Sequence, residues 1–489
     1  MIKVLDLFTS QDFYYSKMLF QRSLAFIYLM GFLIMFNQGK ALLGKNGILP
    51  ARIFISKVKF SQSPSIFYFF ESDQFMTMIS VLGAIISVLA IFGITEKYGH
   101  AVSMISWFIL WITYLSFVNI GQVWFGYGWE SMLLEAGFLA IFLGPANVAA
   151  PVIVIWLIRW VCFRNMLGAG LIKLRGDECW RNLTCMTYYY ETQPVPNQLS
   201  ILFHRLPVFL HKGSVLFTFF VEIVAAIGLM LPWWFVGALA GGITILFHII
   251  IILSGNLSWL NYISIVLCIP CFSDVFFIRF FNLPAIATAP LAIGHQWLVY
   301  VLGIFVSFKS WGPIQNLFSS RQSMNRSFDR LHLVNTYGAF GSITKVRNEL
   351  VVLGTMDENP ENAKWEVYEF KGKPTDVNRM PSLMSPYHWK IDWQMWFAAF
   401  GDYQQSPWVL NLVAKLLYAD PDALSLLASE PFNRKKPKWV KIDYYKYNFQ
   451  DPGKSGYWKR KYLGEWLPPL NLEHESFRNI IKSNDWDPR

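Results

Sequence analysis

The chain has 489 residues, of which 54% are hydrophobic and only 15% are charged. Soluble globular proteins carry about 25% charged residues, so this balance indicates a membrane protein. The formal net charge is +10, but no basic stripe suited to nucleic acid occurs, and five cysteines are too few for a disulfide framework.

The N-terminal region is predicted to keep its first apolar segment. Lys3, Lys17 and Arg22 precede the apolar run 23–36, and no small-residue cleavage site follows that run. This pattern is typical of a retained membrane helix and not of a removed signal peptide.

Apolar segments long enough to span a bilayer, at about 20 residues each, recur through the first two thirds of the chain. Eight or nine spans are expected, because the fourth and eighth segments are short or interrupted. The segments lie near residues 20–38, 75–95, 102–120, 130–147, 150–170, 214–232, 235–253, 256–272 and 290–308. The sequence therefore predicts an α-helical polytopic membrane domain over residues 1–312.

Residues 313–489 are predicted to form a soluble domain of mixed strands and helices, because apolar runs shorten and charge rises there. Two strands are expected, at 350–353 and 440–444. A helix is expected after Ser406, which would cap it, and a second one opens at Asp420 and ends at Pro431.

A long polar loop, residues 173–213, separates two apolar segments. It carries Cys179 and Cys185, several closely spaced aromatic residues, and a rigid Pro-Val-Pro step at 194–196. Loops of this kind in a membrane protein are usually folded and functional. We expect the two cysteines to form a disulfide, or to lie within bonding reach, at a Cα separation of roughly 4.4–6.8 Å.

Several charged, histidine and cysteine residues lie in or beside apolar segments, and we interpret them as structural. Glu135 and Arg164 are interpreted as an ion pair that fixes helix register, and His248 as a core histidine bonded across helices. Cys268 and Cys271 have redox-pair spacing but are interpreted as buried thiols. No metal-ligand spacing, phosphate-binding loop or nucleophile elbow is present. Two sequons make Asn182 and Asn325 glycosylation candidates.

Blocks along nearly the whole chain resemble the lipase maturation factor family. They are GKNGILP at 44–50, WESMLLEAGFLAIFL at 129–143, the long block 163–207, GNLSWLN at 255–261, DWQMWFAA at 392–399 and WLPPL at 466–470. The resemblance implies a multi-spanning protein that helps dimeric lipases fold and assemble. It also implies the endoplasmic reticulum membrane in a eukaryote, or the inner membrane in a bacterium.

A more distant resemblance links residues 169–180 (AGLIKLRGDECW), followed by Phe247 and His248, to the membrane region of vitamin K-dependent gamma-carboxylases. In that family the lysine matching Lys173 is held to be the catalytic base. Arg175 and Gly176 depart from the pattern here, so a lysine that anchors a helix end is the competing interpretation.

The resulting hypothesis is a non-enzymatic, glycosylated, chaperone-like factor without cofactor or metal, whose partners are client lipases and membrane lipids and not nucleic acid. The loop residues proposed for client binding or for loop structure are Asp177, Trp180, Tyr188, Tyr190, Glu191, Pro194 and Pro196. A second aromatic face of the soluble domain is proposed from Trp439, Tyr444, Tyr445, Tyr447 and Trp458. The alternative is a membrane enzyme of the carboxylase type acting on a lipid-soluble substrate, with Lys173 as base and His248 nearby. A transporter is disfavoured because the spans show no internal repeat.

Charge does not settle orientation, because the first loop and the loop 173–213 are both basic and both long enough to fold. We expect that loop and the region after about residue 320 to lie together on the non-cytoplasmic side. An N-terminus on the cytoplasmic side then requires an odd number of spans.

Overall fold

The computed structural model describes residues 12–486, so Lys3 of the predicted N-terminal charge pattern lies outside the described residues. The apolar segments form helices, because a backbone in lipid must satisfy its own hydrogen bonds. In chain order, the helices of the membrane region are α1 (Tyr14–Leu43), α2 (Ala51–Lys57), α3 (Asp73–Ile91), α4 (His100–Ile120), α5 (Gly128–Ala140), α6 (Val152–Arg175), α7 (Glu178–Arg181), α8 (Met186–Thr192), α9 (Ser200–His204), α10 (Val208–Gly228), α11 (Trp234–Ser254), α12 (Leu260–Cys268), α13 (Asp274–Phe281), α14 (Ile293–Lys309) and α15 (Trp311–Phe318).

Among the described residues, seven helical segments are long and apolar enough to cross a membrane, and an eighth is added if the bent pair 260–271 and 274–281 counts as one span. These pieces of the bent pair meet at 92°. The expected fourth span, 130–147, is wrong as a full-length helix, because α5 has 13 residues. At about 1.5 Å per residue it is roughly 20 Å long, shorter than a bilayer core of about 30 Å.

Contacts nevertheless place the two ends of α5 toward opposite faces of the membrane domain. Near its start, the ring of Trp129 lies 5.5 Å from that of His388 in the soluble domain. Beyond its end, Pro145 accepts a 2.7 Å hydrogen bond from Lys17, which lies at the start of α1. Because Gln38 near the end of α1 donates a 2.9 Å hydrogen bond to the His388 carbonyl, α1 starts on the face opposite the soluble domain.

Two predicted boundaries shift in the structure. The last membrane helix continues through α15 to Phe318, six residues past the expected boundary at 312. The polar loop is shorter than expected, because α6 extends to Arg175 and α10 begins at Val208. Lys173 therefore belongs to the last turn of α6, and the loop itself comprises residues 176–207.

The soluble domain is built on a four-stranded antiparallel sheet in the order β4-β3-β7-β8. In register, Val352 lies opposite Ile442 and Phe449 opposite Trp458. The strands are β1 (Arg326–Ser327), β2 (Asn335–Thr336), β3 (Arg347–Thr355), β4 (Glu366–Val367), β5 (Glu369–Phe370), β6 (Leu427–Ser429), β7 (Trp439–Phe449) and β8 (Trp458–Leu470), and the helices are α16 (Lys390–Ala398), α17 (Trp408–Leu417), α18 (Pro421–Ser425) and α19 (Glu475–Ser483). Both predicted strands are confirmed, as parts of β3 and β7.

The two predicted helices of this domain form, with different ends. Pro407 and not Ser406 occupies the N-cap of α17, and no side chain caps that helix. Asp420 caps α18 as its sequence suggests, but the helix ends at Ser425, because the strand β6 follows before Pro431. All ten residues of α17 are buried. Asn411 of this helix donates a 2.7 Å hydrogen bond to the Ile48 carbonyl, so the domain is fixed to the first loop.

Candidate functional site

The loop 176–207 begins with a compact, cross-linked turn. Asp177 accepts a 3.0 Å hydrogen bond from the Cys179 amide and so caps α7. Cys179 and Cys185 are joined by a disulfide, with Cα atoms 4.9 Å apart, inside the expected range. Asn182 lies exposed on this turn. The first part of the loop is therefore a small folded unit.

The aromatic residues of the loop are core residues. Trp180 is only 1% exposed, and its indole N–H donates a 2.8 Å hydrogen bond to the Phe340 carbonyl. Tyr190 packs against Phe203, with ring centroids 5.5 Å apart, while Tyr188 is half-buried. A client cannot reach Trp180 or Tyr190 without unfolding the loop, so the structure favours the structural alternative for these residues.

The second part of the loop is clamped to the soluble domain. The Glu191 carboxylate accepts 2.7 Å hydrogen bonds from the Asn448 side chain and the Phe449 amide. The buried guanidinium of Arg347 donates to the carbonyls of Glu191, Gln193 and Pro194. Pro194 and Pro196 are buried, and the Pro196 carbonyl accepts from the Asn256 side chain at 3.3 Å.

Arg347 is a residue that the sequence gave no reason to select. Its charge is balanced by Glu349 on the same strand, and Lys373 lies 3.0 Å from Glu349. All three side chains are fully buried. Because β3 presents these groups to the loop, the loop serves as the joint between the membrane domain and the soluble domain.

Two buried acids on α5 extend this joint. Glu135 pairs with Arg164, which confirms that predicted ion pair, and it also accepts a 2.6 Å hydrogen bond from the Tyr337 hydroxyl. Glu130 pairs at 3.0 Å with Lys390, a soluble-domain residue that was not predicted. Burial lowers the pKa of Lys390, and the neighbouring Glu130 carboxylate opposes that shift. The soluble domain is thus attached through fully buried ion pairs. Removing one partner of such a pair leaves an uncompensated buried charge, which is strongly destabilising.

Lys173 and His248 line one internal cavity of about 80 Å³ between α6, α10, α11 and α12. The Lys173 ammonium lies 2.5 and 2.7 Å from the two oxygens of Glu222. His248 Nδ1 is 3.0 Å from the Asn261 side-chain oxygen, which fits a core histidine bonded across helices. The enzyme hypothesis requires a free amine as base. Both close contacts of the Lys173 nitrogen are to the Glu222 carboxylate, so the geometry does not favour that chemistry.

A groove of about 470 Å³ lies where the two domains meet. Its walls include Gly176 and Gly341, which approach so closely that a Cβ on Gly176 would lie 2.3 Å from the Gly341 carbonyl oxygen. Trp396 and Phe397 of the soluble domain line this groove, and Phe400 packs against Trp396. We call these three aromatic side chains the aromatic rim. Phe397 is 43% and Phe400 47% exposed.

The rim is held together by its own ring contacts, although its faces stay open. Ring centroids of Trp396 and Phe400 are 4.5 Å apart, and those of Trp396 and Phe397 are 5.0 Å apart. Phe397 also lies 6.3 Å from Tyr127 in the membrane domain. Trp396 and Phe397 lie in α16 and in the block 392–399, but nothing in that sequence separates exposed from buried rings.

The second aromatic face expected from the sequence does not exist as an exposed surface. Tyr447 and Trp458 are at most 1% exposed and pack beneath the loop 176–207, while Trp439, Tyr444 and Tyr445 are half-buried. Tyr444 and Tyr445 are neighbours on β7 and therefore point to opposite faces of the sheet, so these residues do not form one face.

The remaining predicted sites are placed as follows. Asn325 is exposed, and its side-chain oxygen accepts from the Gly338 amide at 3.3 Å. Cys268 and Cys271 are buried free cysteines, as predicted. Between residues 12 and 486, no group of three His, Cys, Asp or Glu side chains is arranged to hold a metal ion.

Comparison with known sequences links both domains to one family. The lipase maturation factor transmembrane domain matches residues 15–279, and the lipase maturation factor C-terminal domain matches residues 333–468. The chain is 41% identical to Lipase maturation factor 1 of Mus musculus over 97% of this chain and 90% of that protein. It is 38% identical to Lipase maturation factor 1 of Homo sapiens, with the same two coverages. Lipase maturation factor 2 of Xenopus laevis is 28% identical over 94% of this chain and 82% of that protein. No solved structure matches the chain.

Proposed function

The chain belongs to the lipase maturation factor family, and we propose that it is a membrane-bound, chaperone-like factor that helps secreted, dimeric lipases fold and assemble. The observation that carries this proposal is the match to Lipase maturation factor 1 over 97% of the chain. The match covers 90% of that relative and includes the sequences of both the membrane domain and the soluble domain.

We further propose that the protein resides in the endoplasmic reticulum membrane with its soluble domain in the lumen. The disulfide Cys179–Cys185 supports this, because disulfides persist in oxidising compartments. Both sequon asparagines, Asn182 and Asn325, are exposed on the face that carries the soluble domain. The described start of α1, on the face opposite the soluble domain, then lies on the cytoplasmic side.

The aromatic rim is the surface that we propose for client contact. Exposed apolar groups on a folded domain usually mark an interaction site when they cluster. Trp396, Phe397 and Phe400 form such a cluster next to a groove, and a partly folded lipase presents apolar surface of the matching kind. The loop 176–207 then acts indirectly, by holding the rim and the groove in place.

The test is a lipase secretion assay in cells that lack endogenous maturation activity. The double variant Phe397→Ser and Phe400→Ser should reduce secreted lipase activity at least about fivefold. Its free energy of unfolding should change by about 1–2 kcal/mol, because each ring is slightly more than half buried.

A matched control uses two exposed residues of the same domain that lie away from the rim. Tyr462 and Leu463 of β8 are 50% and 47% exposed, so serine at both positions removes comparable apolar area. Equal loss of lipase activity in both double variants, or full activity in the rim variant, would remove the rim from the proposal.

A further inference from the structure

The internal cavity beside Lys173 contains polar groups for which the proposed function has no use. Its lining is mainly apolar, but Lys173, Glu222, His248 and Asn261 all reach it. Glu222 lies in a π-helical turn of α10, residues Phe220–Ala225. Such turns interrupt a helix at a cost and are frequent at functional sites.

One polar atom of this lining has no partner. His248 is 5% exposed, and its Nε2 has no hydrogen-bond partner among the described residues. The Asn261 side-chain oxygen beside Nδ1 can only accept, so Nδ1 is the donor at 3.0 Å. In a neutral imidazole Nε2 is then an acceptor, and leaving it unpaired in a buried site is unfavourable.

The neighbouring lysine supplies the complementary group. Lys173 carries three N–H donors, and its contacts at 2.5 and 2.7 Å all go to the Glu222 carboxylate. At least one donor is left over, facing the ring of Trp180 at 5.3 Å. Because Glu222 balances the charge of Lys173, the pair as a whole is neutral.

Two other polar groups of the lining are already bonded. The Asn165 amide donates to the Ser264 hydroxyl at 3.0 Å, and the Thr218 hydroxyl donates to the Ser214 carbonyl at 2.8 Å. Among the described residues of the lining, the cavity therefore offers a ligand an unpartnered buried acceptor, His248 Nε2, and a spare donor on Lys173.

We propose that this cavity binds the hydroxyl group of an uncharged lipid alcohol. A hydroxyl both donates and accepts, so it pairs with His248 Nε2 and Lys173 together. A carboxylate would add an unbalanced negative charge next to the neutral Lys173–Glu222 pair, which is unfavourable in a buried site. A hydrocarbon would leave Nε2 unpaired.

The cavity and the groove between the domains are neighbours, because Asn165, Leu260, Ala339 and Phe340 line both. We place the lipid chain past Leu260 and Phe340 into the groove, whose volume of about 470 Å³ lies in the usual range for ligand sites. Phe340 adopts a φ of 55°, a left-handed conformation that is unusual for a bulky residue and common at ligand sites.

The experiment compares three ligands with the same 16-carbon chain and different heads. The full-length protein, purified in lauryldimethylamine oxide, is incubated with radiolabelled hexadecanol, hexadecanoate or hexadecane, and the lipid retained through gel filtration is counted. We expect hexadecanol to be retained near one molecule per chain, at least about tenfold above the other two, because a site that bonds a hydroxyl rejects analogues without one.

Two variants assign the head group. His248→Phe should lose the preference for hexadecanol. Thr244→Val should keep it, because Thr244 lies on the same helix but outside the cavity lining, and its hydroxyl is already bonded to the Ala240 carbonyl. Equal retention of the three ligands, preference for hexadecanoate, or an unchanged His248→Phe would overturn the proposal. If His248→Phe does not fold, the ligand series on the unaltered protein decides alone. No lipase is involved, so failure here is distinguishable from failure of the proposed function.

Discussion

The loop 176–207 and the segment 393–400 are both rich in aromatic residues, yet the fold gives them opposite surroundings. Trp180 in the loop is 1% exposed, whereas Phe397 and Phe400 are 43% and 47% exposed. The loop lies between the two domains. Phe340 covers its first part, and the Arg347 clamp holds its second part. The second segment has the groove on one side and solvent on the other. Aromatic density alone therefore does not separate a structural core from a docking surface.

This contrast divides the effects of mutations into two classes. Changes in the joint between the domains should lower the amount of folded protein and leave the activity of each remaining molecule intact. Changes in the aromatic rim should lower the activity of each molecule and leave the amount of folded protein largely intact.

The largest expected effect is that of Trp180→Ala. Truncating a fully buried tryptophan costs about 3–5 kcal/mol, and the Phe340 carbonyl also loses its donor. The steady-state amount of protein in the membrane should fall steeply, as measured by quantitative immunoblot. Lipase activity per unit of protein should stay near that of the unaltered chain. A normal protein level would show that the loop does not support the fold.

Lys390→Met should destabilise by about 3 kcal/mol, because Glu130 is left as a buried charge without its cation. Breaking a buried ion pair costs about 3–5 kcal/mol. The lower end of this range is expected because Tyr114 still donates a 2.6 Å hydrogen bond to Glu130. Thermal unfolding of the purified protein measures the loss. Lys364→Met is the control, because Lys364 is 85% exposed and its surface pair with Glu366, screened by solvent, contributes little to stability. Similar melting temperatures for the two variants would contradict the buried joint.

Replacing both Cys179 and Cys185 with serine should cost about 2 kcal/mol, because the disulfide closes a short loop. The folded fraction should fall by less than in Trp180→Ala. Unreduced protein should also resist thiol alkylation at these two positions. Ready alkylation without reductant would mean that the disulfide is absent from the mature protein.

The smallest effect is expected at the outer edge of the same loop. Asn182→Gln changes an exposed side chain, so the free energy of unfolding should shift by at most about 0.5 kcal/mol. If the sequon is used, this variant loses one glycosidase-sensitive step in electrophoretic mobility. A mobility identical to that of the unaltered chain would place Asn182 outside the set of modified sites.

Long apolar runs made the membrane helices predictable, because their pattern is local. Each of the nine expected segments coincides with a helix, although α5 is short and the segment 256–272 becomes the first piece of a bent pair. The Glu135–Arg164 pair was also predictable, since both charges lie in apolar surroundings 29 residues apart.

The joint between the domains could not be predicted, because its partners are remote in sequence. Glu130 and Lys390 are 260 residues apart, and Arg347 reaches carbonyls 153 to 156 residues away. A backbone carbonyl has no sequence signature at all. The burial of Trp180 depends on Phe340, 160 residues further along the chain, so composition could only suggest that the loop was important.

The most direct test measures secreted lipase activity divided by the amount of the factor in the membrane, for Trp180→Ala and for the double variant Phe397→Ser and Phe400→Ser in the same cells. We predict an unchanged ratio for Trp180→Ala and a ratio at least about fivefold lower for the rim variant. A lowered ratio for Trp180→Ala together with a normal ratio for the rim variant would show that the loop, and not the rim, contacts the client.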